Sequence, residues 1–135
     1  MTLQEQADAV FMALCLWREA RGEPKEGKIA VAWSIMNRLT SPSWGNTLMA
    51  VLFQRLQYSS LTYSSDPQLA LWPKDDDPAW RDSLEIADGV IEGRIDNPID
   101  GADSYFSDSI VAPKWATVST FVKKIGRHEF HKVGK

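Results

Sequence analysis

Six residues, Glu19-Ala-Arg-Gly-Glu23-Pro24, constrain this chain more than any others. They interrupt a strongly apolar stretch, Phe11 to Trp17, with two glutamates, an arginine and a glycine, and a proline follows at once. A proline is tolerated in the first turn of a helix because its missing N–H would have no partner there. The segment therefore predicts two helices meeting at a polar joint, residues 3–18 and about 24–39, with Gly22 ending the first. Ala7, Val10, Phe11, Leu14 and Arg18 mark one face of the first helix at the helical period. Ile29, Ala32, Trp33, Met36 and Leu39 mark one face of the second.

Carboxylates at the joint of two buried helices are costly to keep from water unless something pairs or uses them. Glu19 stands in the last turn of the first helix, between Trp17 and Ala20. In a cleft lined by Trp17 and other aromatic rings, burial would raise its pKa and keep a proton available near neutrality. That is what a general acid acting on a glycosidic bond requires. The competing reading has Glu19 paired with Arg18, Arg21 or Lys28 as a staple between the helices. Glu23 and Glu26 fall in the expected first turn of the second helix, where carboxylates complement the helix dipole. That role accounts for Glu23 without chemistry. Asn37, near the far end of the second helix, is placed to orient a carboxylate or to bond backbone.

Beyond Leu39 the chain reads as a turn (40–45), a short helix from Thr47 to Gln54, and a long polar loop over 57–77. In that loop Gln57-Tyr58-Ser59-Ser60, with Tyr63 and Trp72, combines hydrogen-bonding groups with rings, the combination that binds sugars. Asp77-Pro78 caps and opens a helix to about Glu92, closed by Gly93. Residues 102–107 and 117–133 carry the aromatic and β-branched residues of short strands, with Ile125-Gly126 as a kink or turn. The order predicts an α+β domain, mostly helical, with a small antiparallel β-sheet. His128-Glu-Phe-His131 is one residue short of a helical zinc-protease motif, and on a strand the two histidines face opposite sides. No metal or cofactor is expected, and His128 reads as structural or substrate-facing. The Asp75-Asp76-Asp77 run lacks the spacing of a calcium loop and reads as a solvated helix start.

A length of 135 residues suits a single domain over 1–135. A net charge of −3 argues against a nucleic-acid partner, although Lys123, Lys124, Arg127, Lys132 and Lys135 make the last stretch basic. Cys15 is the only cysteine and is expected to fill core space. Glu5 and Asp8 near the start do not suit a secretory leader, and no apolar run approaches a membrane span. The expectation is a chain made in a cytoplasm, without stable membrane insertion.

With these residues in view, the chain resembles the cell-wall hydrolase family of the spore cortex-lytic (SleB-like) enzymes. The resemblance rests on Glu19-Ala-Arg-Gly-Glu-Pro-x-Glu-Gly27, then Ile29-Ala-Val-Ala32, Asn37-Arg38 and Gln57-Tyr58-Ser59. Gly101-Ala102 with Tyr105, Pro113-x-Trp115 and Ile125-Gly126-x-His128-x-Phe130 follow in order. It implies a lysozyme-like catalytic domain that cleaves the β-1,4 bond between muramic acid and glucosamine in peptidoglycan, largely as a lytic transglycosylase. The family's catalytic glutamate falls on Glu19. Arg18 departs from the family's small residue at that position, and Ser107-Asp108 from its usual Asn-Pro pair. The resulting expectation is a lytic transglycosylase with Glu19 as acid and base, and with Gln57, Tyr58, Ser59, Tyr105 and His128 positioning glycan strands. The alternatives are a water-using muramidase on the same fold and a non-catalytic wall-binding domain. A compact chain without a leader resembles a phage endolysin, which would act as a monomer after release by a holin-type membrane-perforating partner.

Overall fold

The computed structural model describes residues 1–54 and 58–135, and of Ser59 the backbone alone. The element order is α1 (Leu3–Ala20), α2 (Lys25–Arg38), α3 (Leu48–Leu52), α4 (Ser59–Thr62), a 3₁₀ helix (Pro67–Ala70) and α5 (Pro78–Ile91). Then come β1 (Ser104–Ser107), β2 (Phe121–Ile125) and β3 (His128–His131). The fold is α+β, mostly helical, with one small antiparallel sheet in the order β1-β3-β2.

Thr2 and Glu5 start α1 with a reciprocal cap, each side chain bonding the other's backbone N–H. From Met12 to Arg18 every residue is buried, so this half of α1 is covered on all sides and forms the centre of the molecule. Val10, expected on the buried face, is instead 48% exposed, because α1 leaves the core at its first turns. The helix ends at Ala20, whose carbonyl accepts the Glu23 N–H at 2.9 Å. Gly22 is not left-handed, in contrast to the expected glycine stop; among the glycines, Gly93 and Gly126 have positive φ.

Pro24 is the N-cap residue of α2 with extended backbone, not part of its first turn. Glu23 therefore precedes the helix, and its expected first-turn role does not hold. Ala30, Val31, Ala32 and Ile35 are the most buried apolar residues of α2, while Ile29, Trp33 and Met36 are half-buried and pack on the core edge. The helix lies between α1 and the sheet, so more than one face is covered.

The 57–77 stretch was expected to be a loop, yet it holds α4 and the 3₁₀ helix. Asp66 caps the latter through the Gln68 N–H at 2.8 Å. Arg18 organises this stretch: its buried guanidinium donates to the carbonyls of Ser60, Leu69 and Leu71 at 2.9–3.1 Å. Asp77 caps α5 as its sequence predicts, and Gly93 follows the helix end with φ +74°. The expected last strand is a hairpin, β2 and β3 joined at Gly126, whose φ of +58° suits the tight turn. A bulge between Phe121 and Lys123 breaks the β2 ladder. Tyr105, His128 and Phe130 share the sheet face turned toward the helices, and His131 lies on the other.

Candidate active site

Glu19 is the one residue between Met12 and Ala20 that is not fully buried. Its carboxylate is held from three places. Ser60 Oγ donates to Oε2 at 2.9 Å, and Cys15 Sγ, one helical turn back, donates to the same oxygen at 3.3 Å. The Tyr105 hydroxyl, delivered by β1, donates to Oε1 at 3.3 Å. Burial raises the Glu19 pKa, and the nearby Asp66 charge adds to that; the Ser60, Cys15 and Tyr105 bonds favour the carboxylate and only partly offset it. The same environment pushes the Cys15 and Tyr105 pKa values up, so both remain protonated donors.

The expected staple is absent among the described contacts of the three basic residues. Arg18 bonds carbonyls, Arg21 bonds Trp17 O and Gln68 Oε1, and Lys28 is buried without an ion pair among the described residues. Trp17 does not line the site either. Its indole donates to Asp77 at 3.0 Å, and its ring lies under Arg21 at 4.4 Å.

A cleft of about 290 Å³ opens on this carboxyl, lined by Glu19, Gly22, Glu23, Ser107, Arg127 and His128. His128 Nδ1 approaches Glu23 Oε1 to 2.6 Å, both side chains largely buried, and its ring stands edge-to-face against Tyr105. The α1–α2 joint thus supplies two carboxyls to one cleft, and the β2–β3 hairpin supplies the histidine that holds the second. Asn37 carries the sheet side: it donates to Ala102 O at 2.7 Å and accepts from Asn97 at 3.0 Å, fixing the chain that enters β1.

Of the expected site residues, Glu19, Tyr105 and His128 come together here. Tyr58 does not line the cleft: it is 2% exposed, packed over the Arg38 guanidinium, with burial pushing its pKa up. Its ring is enclosed by the core and presents almost no surface to the outside. Gln57 lies outside the described residues, and Ser59 opens α4 with its backbone alone described. From sequence Ser60 was read only within the sugar-binding stretch and Cys15 only as core filler, not as donors to Glu19, and the Glu23–His128 contact was not foreseen. The i, i+4 spacing of Cys15 and Glu19 was the available signal for one of them.

The family model described as Cell Wall Hydrolase matches residues 22–131. The chain is 34% identical over 127 residues to a spore cortex-lytic enzyme of Bacillus cereus, covering 94% of this chain and 45% of that protein. It is 33% identical over 123 residues to that of Halalkalibacterium halodurans, covering 91% and 34%. The chain thus spans under half the length of these curated relatives. Among solved structures, the catalytic domain of the germination-specific lytic transglycosylase SleB from Bacillus anthracis matches with a TM-score of 0.71 at 32% identity. That match covers 98% of this chain and 97% of the other. The catalytic domain of the Bacillus cereus SleB protein matches with the same score and identity, covering 98% and 93%.

Proposed function

This chain belongs to the cell wall hydrolase family, and from that premise we propose that it cleaves peptidoglycan glycan strands as a lytic transglycosylase with Glu19 as acid and base. The observation that carries the reading is the state of Glu19: a carboxyl that burial keeps protonated to higher pH, facing a cleft from the last turn of the central helix. Two donors converge on Oε2, which suits a carbonyl oxygen with two lone pairs. The acidic proton then belongs on Oε1.

Glu19 gives that proton to the glycosidic oxygen as the bond from muramoyl C1 breaks through an oxocarbenium-like state. The resulting carboxylate is stabilised by the Ser60, Cys15 and Tyr105 donors. It takes the proton of the muramoyl C6 hydroxyl while that oxygen bonds to C1 and closes a 1,6-anhydro ring. Glu19 ends protonated, and no water is consumed. The likeness to the SleB catalytic domains supports this outcome, since that of Bacillus anthracis is a germination-specific lytic transglycosylase.

Glu23 in the same cleft favours one second reading, a muramidase in which it activates water as partner carboxylate. Its Oε1 lies 2.6 Å from His128 Nδ1 in a largely buried contact, which supports the first reading because that oxygen meets the imidazole rather than open cleft. Digestion of purified cell walls by wild type, Glu19→Gln and Glu23→Gln tests the choice. The proposal expects no solubilisation by Glu19→Gln at unchanged fold, and residual cleavage by Glu23→Gln. Loss of cleavage in both, with reducing ends made by wild type, would favour the muramidase. Full cleavage by Glu19→Gln would remove the proposed acid.

A further inference from the structure

A second concavity adjoins the cleft across the hairpin turn. It is a groove of about 530 Å³ between α2, the segment after α5 and β2, with Ile29, Ile95 and Ile125 contributing apolar surface. The helix side and the 95–98 segment contribute the carboxylates of Glu26 and Asp96; β2 contributes Lys123 and Lys124. Lys124 is engaged by Asp108 at 3.2 Å. Glu26, Asp96 and Lys123 are exposed and make no ion pair among the described residues.

Groove and cleft meet at consecutive residues. Gly126 lines the groove and Arg127 lines the cleft. A Cβ on Gly126 would stand 3.9 Å from Glu23 Oε1 and 3.8 Å from Pro24, so the Gly126 backbone and the Glu23 and Pro24 side chains packed on it form a thin wall shared by the two spaces.

We infer that the groove receives the peptide carried by the muramoyl unit in the cleft, a short chain bearing carboxylates and a free amine. The inference rests on the proposed action on glycan strands. Such a peptide starts at the muramic lactyl group, beside the scissile bond, and four extended residues reach about 14 Å. Its small apolar side chains suit the isoleucine surface, while an amine facing Asp96 and Glu26 and a carboxylate facing Lys123 suit the charges. A purely anionic or purely cationic polymer would be repelled by one side. Arg127, exposed at the cleft mouth, is placed to donate to the lactyl carbonyl where the peptide begins.

The test is an NMR titration of the isotope-labelled chain with the free stem tetrapeptide of alanine, glutamate, a diamino acid and alanine. Saturable shifts are expected at the amides of Ile95, Asp96 and Lys123 to Gly126, with affinity weakened about tenfold in Lys123→Glu and in Asp96→Lys. Silence at these amides in the wild type overturns the inference, whatever the chain does to glycan. Groove shifts in a chain that cleaves no wall would keep the groove assignment and overturn the proposed activity instead. In digestion, both variants should lose about tenfold in kcat/KM on strands with stems and nothing on amidase-stripped strands. Equal losses on both substrates would also overturn the inference.

Discussion

At Glu19, burial and hydrogen bonding act in opposite directions on one proton, and burial dominates. Activity that needs the protonated form should therefore fall as pH rises through the raised Glu19 pKa. Ser60→Ala removes a bond that favours the carboxylate, so it should move that alkaline limb of kcat/KM to higher pH. A limb that moves toward acid in this variant would contradict the assignment. The same shift sets a stability expectation. The folded chain holds this proton to higher pH than the unfolded chain, so the group's contribution is full below the ordinary carboxyl range and is lost as pH rises through the folded value. Glu19→Gln, neutral throughout, should melt above wild type at pH 7, with the gap closing near about pH 4, as calorimetry would record. Glu19 stood out in the sequence because a carboxyl breaking an apolar helix is conspicuous, and the family resemblance gave it the acid's role over an ion-pair staple. Ser60 could not: it lies 41 residues away in a serine-rich stretch, and only the path of the intervening chain brings it to Oε2.

Among the elements, the bounds of α5 and the hairpin turn carried local signals: Asp77 before Pro78, Gly93, and Gly126 between β2 and β3. The α4–3₁₀ segment offered Asp66 before Pro67, the same cap and proline pair as at α5, but its path is held by a partner on α1. Arg18 satisfies three carbonyls there, a tertiary contact invisible to local pattern. Arg18→Ala should leave those carbonyls without their donor and destabilise the fold by about 3 kcal/mol in chemical denaturation. Hydrogen exchange should show the loosening concentrated over residues 58–72, with activity reduced through misplacement of Ser60. An unchanged midpoint would mean that the guanidinium is replaced by water without loss. The sheet has a comparable anchor in Asp103, buried, accepting from Val133 N, Gly134 N and Ser104 Oγ. Asp103→Ala should cost about 2–4 kcal/mol and free the C-terminal residues to exchange. Protection of those amides equal to wild type would contradict the role given to Asp103.

Across the whole molecule, α1 runs through the centre and ends at the cleft, so the helical body positions Glu19 while the sheet brings Tyr105 and His128 to face it. The class and its small antiparallel sheet were legible from element order and aromatic strand pattern. The site was legible only in part, since Glu23 and His128 meet across 105 residues and each alone had an adequate local explanation. The charge pattern of β2 acquires its meaning in the same way, from the groove that α2 and the 95–98 segment form opposite it. The central claim is that one carboxyl performs both proton transfers and that no water enters the product. It is tested most directly by the masses of the muramoyl ends released from purified peptidoglycan by wild type and by Glu19→Gln. Ends lighter by one water than reducing muramic acid are expected from wild type and are expected to be absent with Glu19→Gln. Reducing ends from the wild type, or anhydro ends from Glu19→Gln at the wild-type rate, would contradict it.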